Sequence, residues 1–231
     1  MKIGTEQEWQ AARKELLAAE RELEEHTERV TVQRRELPWV PVEQEYTLAT
    51  ADGPKSLPDL FEGRSQLIIY HLMFGEDWSV PCPGCSSLAD GVSGTIAHLN
   101  DRDITLICMS QAPLEKLVAY KQPRGWTVPW VSAYGTNFLF DYGFAFRRED
   151  MSGNVREEFD MGELIREAPQ WLRDYRDEVG APDLESAVSV SAGWSMFATR
   201  DGSAYNTYRV YPPSRFVTPL FSVLLTLLPT N

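Results

Sequence analysis

Between residues 5 and 35, Trp9, Ala12, Leu16, Leu23 and Val30 recur near helical spacing, and Glu, Arg and Lys fill the positions between them. That pattern predicts one long amphipathic helix. Thr5 followed three positions later by Glu8 carries the capping-box signature of a helix start, and Pro38 with Pro41 marks the exit into extended chain. The apolar stripe is thin, which fits a helix lying on its own domain or a homodimer in which it pairs with a second copy.

Beyond the prolines the period changes. Tyr46 and Leu48 alternate with polar residues as a short strand, Asp52-Gly53 reads as a turn, and Ser56 caps a short helical turn through Leu60 and Phe61. "QLIIYHLMF", residues 66–74, is a continuous apolar run of strand length, as expected for a strand buried on both faces. Leu88, Val92, Ile96 and Leu99 follow at spacings of four, four and three. They predict a single helix that Gly91 and Gly94 weaken without breaking. "ITLICMS", residues 104–110, is a second buried strand, and "APLEKLVAYKQPRG" a second helix, closed by Pro123 and Gly125. Strand, helix, strand and helix in this order imply a parallel right-handed crossover.

The pattern is harder to phase from 126 to 160. The stretch "GWTVPWVSAYGTNFLFDYGFAF" holds eight aromatic residues and three glycines. "DMGELIREAPQWLRDYRDEVG" predicts a polar helix pair split at Pro169, and residues 180–190 a loop. The region around 136–190 therefore reads as an irregular, partly helical insertion. "WSMFATRDGSAYNTYRVY" is two alternating runs joined by Asp201-Gly202, a strong hairpin signal. The apolar tail "FVTPLFSVLLTLLP", interrupted by Pro219, is too short to span a membrane. It predicts a buried terminal helix or strand pair, or an interface segment. The organisation expected is an N-terminal helix over 1–38 and one domain over 39–231.

Composition adds limits. With 231 residues, 43% hydrophobic and 24% charged, the chain can bury a substantial core without staples. A formal charge of -12, with Arg34, Arg35, Arg147 and Arg148 interspersed among acidic residues, argues against nucleic acid as a partner. The first residues contain no apolar h-region and no run reaches membrane-span length, so a cytoplasmic location and no membrane association are expected. Three cysteines in a reducing compartment argue against a structural disulfide framework, and a close pair points to redox or metal chemistry.

That pair is Cys82 and Cys85, in "VPCPGCSSLADG". Pro83 suits a first helical position, since its missing N–H would be unpaired there. Cys82 then falls at the N-cap, where free amides and the helix dipole favour a thiolate, while Cys85 lies one turn inside. The asymmetry defines an attacking and a resolving thiol. A zinc site needs about four ligands. Only Cys108, inside a predicted core strand, and three histidines remain, so no metal and no cofactor are expected. An inactive, structural pair is the other alternative. His71 could pass a proton to Cys85, although a satisfied core histidine explains it as well. Trp78 could shield the dithiol or simply pack. His98 fits a helix C-terminus, and Asp77 and Asp90 read as solvated groups.

Taken together, "LPWVPVEQEYTL", "LPDLFEGRSQLIIYHLMFG", "CPGCSSLADG", "APLEKLVAYKQPRGWTVPWVS" and "DGSAYNTYRVY" resemble a bacterial family of thioredoxin-like proteins of unknown function, described as predicted dithiol-disulfide isomerases. The resemblance covers nearly the whole chain. It implies an α/β, three-layer thioredoxin-like fold, a central mixed sheet with helices on both faces, plus the N-terminal helical extension and the middle insertion. It places Cys82 at the nucleophile of thioredoxins and Cys85 at the resolving thiol, with Pro83-Gly84 between them beginning in proline as in glutaredoxins. Ser79 and Cys82 match the peroxiredoxin pattern P-x-x-x-T/S-x-x-C, but Gly75 stands where that pattern has proline. Where thioredoxins carry a cis-proline before the final hairpin, this chain has Gly193, Trp194 or Ser195; Pro129 is a substitute only at an earlier position. The function expected is thiol-disulfide oxidoreduction on a protein or small-molecule disulfide or thiol. A thiol peroxidase and a non-catalytic thioredoxin-like binding protein are the alternatives.

Overall fold

The computed structural model describes residues 3–152, 154–156 and 159–211. The tail 216–229 lies outside them. Residues up to Pro38 and residues from Trp39 belong to separate compact units.

The first unit is built on helix α1, Glu6–Arg35. Thr5 accepts from the Glu8 amide and the Glu8 carboxylate accepts from the Thr5 amide, which completes the capping box. Glu6 and Glu8 in the first turn and Arg34 and Arg35 in the last complement the helix dipole. Trp9, Leu16 and Leu23 are exposed.

The second unit opens with strands β1 (Val40–Pro41), β2 (Thr47–Thr50) and β3 (Gly53–Ser56) and a helical turn, Pro58–Phe61, whose start is tied by Ser56 and Asp59. Strand β4 is Gln66–His71, followed by helices α2 (Pro83–Ser93) and α3 (Ile96–Asn100), strand β5 (Ile104–Ser110), helix α4 (Leu114–Lys121) and strand β6 (Trp130–Ser132). Then come helix α5 (Phe138–Asp141), a small hairpin of β7 (Asn154–Arg156) and β8 (Phe159–Asp160), and helices α6 (Met161–Glu167), α7 (Gln170–Val179) and α8 (Leu184–Ala187). Strands β9 (Gly193–Arg200) and β10 (Ser203–Val210) form the final hairpin.

Eight strands make one mixed sheet in the order β1-β10-β9-β4-β5-β6-β2-β3. Its centre is β4, parallel to β5 on one side and antiparallel to β9 on the other. Residues 67–72 are all buried, each apolar side chain contributing about 1.5–3 kcal/mol. The run of apolar residues without alternation reflects this: both faces are covered. Tyr120 on α4 meets Ser86 on α2, and Trp126 bonds Asp90, so α2 and α4 share one face. On the other face Phe138 and Tyr142 pack on Phe197 of β9. The unit β4-α2-β5 with the antiparallel hairpin β9-β10 beside β4 is a thioredoxin-like core, and α5 with the residues that follow it through Phe144 packs on the face opposite α2.

Several expectations need correction. The helix predicted through Leu99 breaks at Gly94-Thr95, because the Thr95 amide and hydroxyl both turn back to the Val92 carbonyl and compete with helix continuation. Val92 and Leu99 stay buried on the two pieces. The expected loop 180–190 contains α8, capped by Asp183, which accepts from the Ser186 amide. Strand β3, with the sequence Gly-Pro-Lys-Ser, has no strand pattern because it is the sheet edge, where Pro54 and Lys55 discourage further pairing.

Gly193 opens β9 with φ +152, and a Cβ there would meet the Val210 carbonyl oxygen and lie 2.5 Å from the Phe144 ring. Gly193→Ala is expected to cost about 3 kcal/mol or more through backbone strain and overpacking. A lowered urea midpoint at unchanged m-value reads it out.

Candidate active site

Strand β4 ends at His71, and the chain runs on through Leu72–Val80 to reach Cys82 at the start of α2. This loop is fastened at several points. The Cys82 amide donates to the Met73 carbonyl at 2.9 Å, and the Ser79 and Val80 amides both donate to the Val179 carbonyl at the end of α7. Lys116 donates to the Glu76 and Trp78 carbonyls. Trp78 is fully buried; its indole N–H donates to the Ser186 carbonyl of α8 at 2.9 Å. Gly75 is the residue that lets it fit, since a Cβ at that position would stand 2.5 Å from the indole nitrogen. The departure from the peroxiredoxin proline thus has a steric reason. Gly75→Ala is expected to destabilise the protein by about 1–3 kcal/mol, checked by denaturant unfolding.

Cys82 is the N-cap of α2, with Pro83 at the first helical position and Gly84 next. It is half-buried, Cys85 is buried, and both are free thiols. The Cys85 thiol bonding to the Cys82 sulfur is the largest cause that lowers the Cys82 pKa to about 6, against a smaller desolvation effect that raises it. The Cys85 and Gly84 amides and the Tyr175 hydroxyl add to the lowering. Cys85 moves the other way: its bond to the Cys82 sulfur, its burial and the neighbouring negative charge push its pKa well up. The two shifts run in opposite directions, so the proton shared by the pair is held on Cys85 and the negative charge is favoured on Cys82.

A depressed pKa in the folded state contributes stability that is present above the unfolded thiol pKa, near 9, and is lost as pH falls through about 6. Cys85, raised in the fold, acts in the opposite sense only where unfolded thiols ionise. The reduced protein is therefore expected to gain stability from pH 6 to pH 9, an increment that Cys82→Ser removes; urea titrations at the two pH values check it.

Two tyrosines complete the site, and sequence reading missed both. Tyr70, in β4, directs its hydroxyl to the Cys85 sulfur and stacks on Trp194 of β9 with ring centroids 4.5 Å apart. Tyr175, in α7, has its hydroxyl beside the Cys82 sulfur and its ring edge-on to Trp78 at 5.8 Å. Tyr70 was hidden inside an apolar run and Tyr175 inside a charged helix. The only available signal was parity: Tyr70 and His71 occupy adjacent positions of one strand, so only one of them can face α2.

His71 is the one that does not. Its side chain lies on the opposite face of β4, where Nε2 meets the Ser195 hydroxyl at 2.6 Å and the ring stacks on Phe144 at 3.5 Å. Burial holds its pKa well down, so it is neutral. The proton path from His71 to Cys85 is excluded by this geometry, since the sheet lies between them. Trp194 is the cross-strand neighbour of Tyr70 in the β4–β9 pairing and packs against its ring. Ser79 is exposed, and its hydroxyl donates to the Gly180 carbonyl at 3.4 Å, away from Cys82. Asp77 bonds the Ser186 hydroxyl and Asp90 the Trp126 indole, both structural contacts. The Pro129 carbonyl accepts from the Cys108 amide at 2.8 Å, which places that proline in the β5–β6 pairing. Cys108 is buried in β5, with its thiol pushed up to about 12 by burial.

Among the described residues no helix is long and apolar enough to cross a membrane, and no group of three or more His, Cys, Asp or Glu side chains could hold a metal ion.

A close thiol pair at the N-terminus of the helix that follows the central strand defines the class, a thioredoxin-like α/β protein. The chain belongs to the family described as bacterial protein of unknown function (DUF899), which matches residues 1–227. No curated protein matches it. Among solved structures it is similar to the mitochondrial 1-Cys peroxiredoxin of yeast, with 15% identity over 82% of this chain and 73% of that one and a TM-score of 0.48. It is also similar to the bacterioferritin comigratory protein of Xanthomonas campestris (10% identity, 78% and 87% covered, TM-score 0.47). A third is the peroxidoxin BcpB of Mycobacterium tuberculosis (15% identity, 49% and 68% covered, TM-score 0.40).

Proposed function

We propose that the protein is a thiol-disulfide oxidoreductase in which Cys82 attacks a protein or small-molecule disulfide and Cys85 resolves the mixed disulfide. The observation that carries this reading is the asymmetry of the pair: a half-buried Cys82 on free helix amides and a buried, protonated Cys85 one turn behind it. In the first step the Cys82 thiolate forms a bond to one substrate sulfur while the substrate S–S bond breaks, and the second sulfur leaves as a thiolate that takes a proton from solvent. Cys85 then gives up its proton and attacks the Cys82 sulfur, releasing the first substrate thiol and leaving the Cys82–Cys85 disulfide. A dithiol or thiol reductant of the cytoplasm returns the pair to its starting state.

Titration of the pair against glutathione, with alkylation and mass counting of thiols in a Cys108→Ala background, tests it. Catalytic dithiols span about -120 to -270 mV, and the potential falls as the nucleophile's pKa rises from about 3.5 to about 7. A reversible two-electron disulfide with a potential inside that interval is the expected result. A pair that stays reduced and unreactive until the protein unfolds would overturn the proposal.

A further inference from the structure

Helix α7 lies in the segment between β6 and β9, outside the β4-α2-β5 and β9-β10 core that presents the dithiol, yet it is locked to the loop before Cys82. The Val179 carbonyl accepts from both the Ser79 and Val80 amides, and Gly180 packs so closely on Ser79 that a Cβ there would lie 2.5 Å from the serine hydroxyl oxygen. Val179 and Tyr175 lie four residues apart, one above the other on the same helix face. The clamp that holds Val179 therefore also aims Tyr175. Trp78, fixed by its bond to the Ser186 carbonyl, closes on the phenol ring from the side.

The Tyr175 hydroxyl is buried and makes no well-formed hydrogen bond. A buried hydroxyl left without a partner costs about 1–3 kcal/mol. What it faces is the sulfur of Cys82. From this arrangement we infer that Tyr175 is a catalytic residue of the dithiol, a donor supplied by the inserted helix that holds the Cys82 sulfur as thiolate and keeps its own proton throughout. The inference rests on the oxidoreductase reading. It adds that the inserted segment completes the active site, and that the hydroxyl loses its charged acceptor when Cys82 and Cys85 join.

Tyr175→Phe keeps the ring against Trp78 and removes only the donor. The alkylation rate of Cys82 with iodoacetamide is measured from pH 4 to pH 10 in the native protein and the variant. Loss of one hydrogen bond to a charged group is expected to move the midpoint up by roughly one unit, slowing alkylation about fivefold at pH 6 and leaving it unchanged above pH 9. A residue that only packs would leave the midpoint in place. Should the variant not fold, 3-fluorotyrosine placed at position 175 alone supplies a stronger donor and leaves Tyr70 unchanged. A midpoint moved down supports the assignment, and an unmoved one overturns it. A shifted midpoint in a protein that does not exchange disulfides upholds the bond and overturns the oxidoreductase reading. An unmoved midpoint in a protein that does exchange them overturns the assignment to Tyr175 alone.

Discussion

Cys82→Ser is expected to lower the rate of disulfide exchange by about three orders of magnitude or more, because the hydroxyl that replaces the thiol is not ionised at neutral pH and is a poor nucleophile. The fold should survive, since Cys82 is half-buried and serine is a favoured N-cap. Cys108→Ala is the matching control. Cys108 is buried in β5 and its thiol is pushed up to about 12, so its loss should leave the exchange rate unchanged while costing some stability. Reduction of a chromogenic disulfide, followed for both variants, reads the contrast directly. Native-like rates in Cys82→Ser would end the oxidoreductase proposal.

Cys85→Ala should produce the second largest effect, in two observables at once. The Cys85 thiol is the leading cause of the lowered Cys82 pKa, so its removal is expected to move the alkylation midpoint of Cys82 upward from about 6, further than any other single change in the site. Cys85→Ser, which keeps a donor, should move it less. With no resolving thiol, a substrate disulfide should also leave a stable adduct on Cys82, visible as a mass increase that dithiothreitol removes. The same variant orphans the Tyr70 hydroxyl, which faces the Cys85 sulfur in a buried position, and should lose about 1–3 kcal/mol of stability. A midpoint that stays near 6 in Cys85→Ala would mean that the helix amides and the Tyr175 hydroxyl hold the thiolate without the Cys85 thiol.

Much of this molecule is written locally in its sequence. The capping box Thr5/Glu8, the strands at 66–71 and 104–110, the split at Pro169 and the hairpin at Asp201-Gly202 each depend on residues a few positions apart, and each is legible for that reason. The position of Cys82 at the N-cap follows from Pro83 alone. What was hidden depends on distant partners. Gly75 makes sense only beside Trp78, Gly193 only beside Phe144, and Tyr175 only once α7 is brought against the cysteine loop. The break at Gly94-Thr95 shows the limit from the other side. A helical period of apolar positions continues through it, and a single threonine hydroxyl, competing for a carbonyl, interrupts the helix without interrupting the buried face.

The two faces of β4 give its alignment an informational weight beyond packing. Tyr70 delivers a phenol to the dithiol and His71 an imidazole to Ser195 on the far side. Sliding the strand back by one residue would set His71 in the position Tyr70 now holds, bringing an imidazole to Cys85, and would carry Tyr70 to the far face opposite Ser195, leaving an equally apolar strand between its neighbours. A single-residue deletion in the approach to Gln66 is therefore a mutation that keeps an apolar strand in the sheet and rewrites its chemistry, replacing the phenol beside the dithiol with an imidazole parted from its serine.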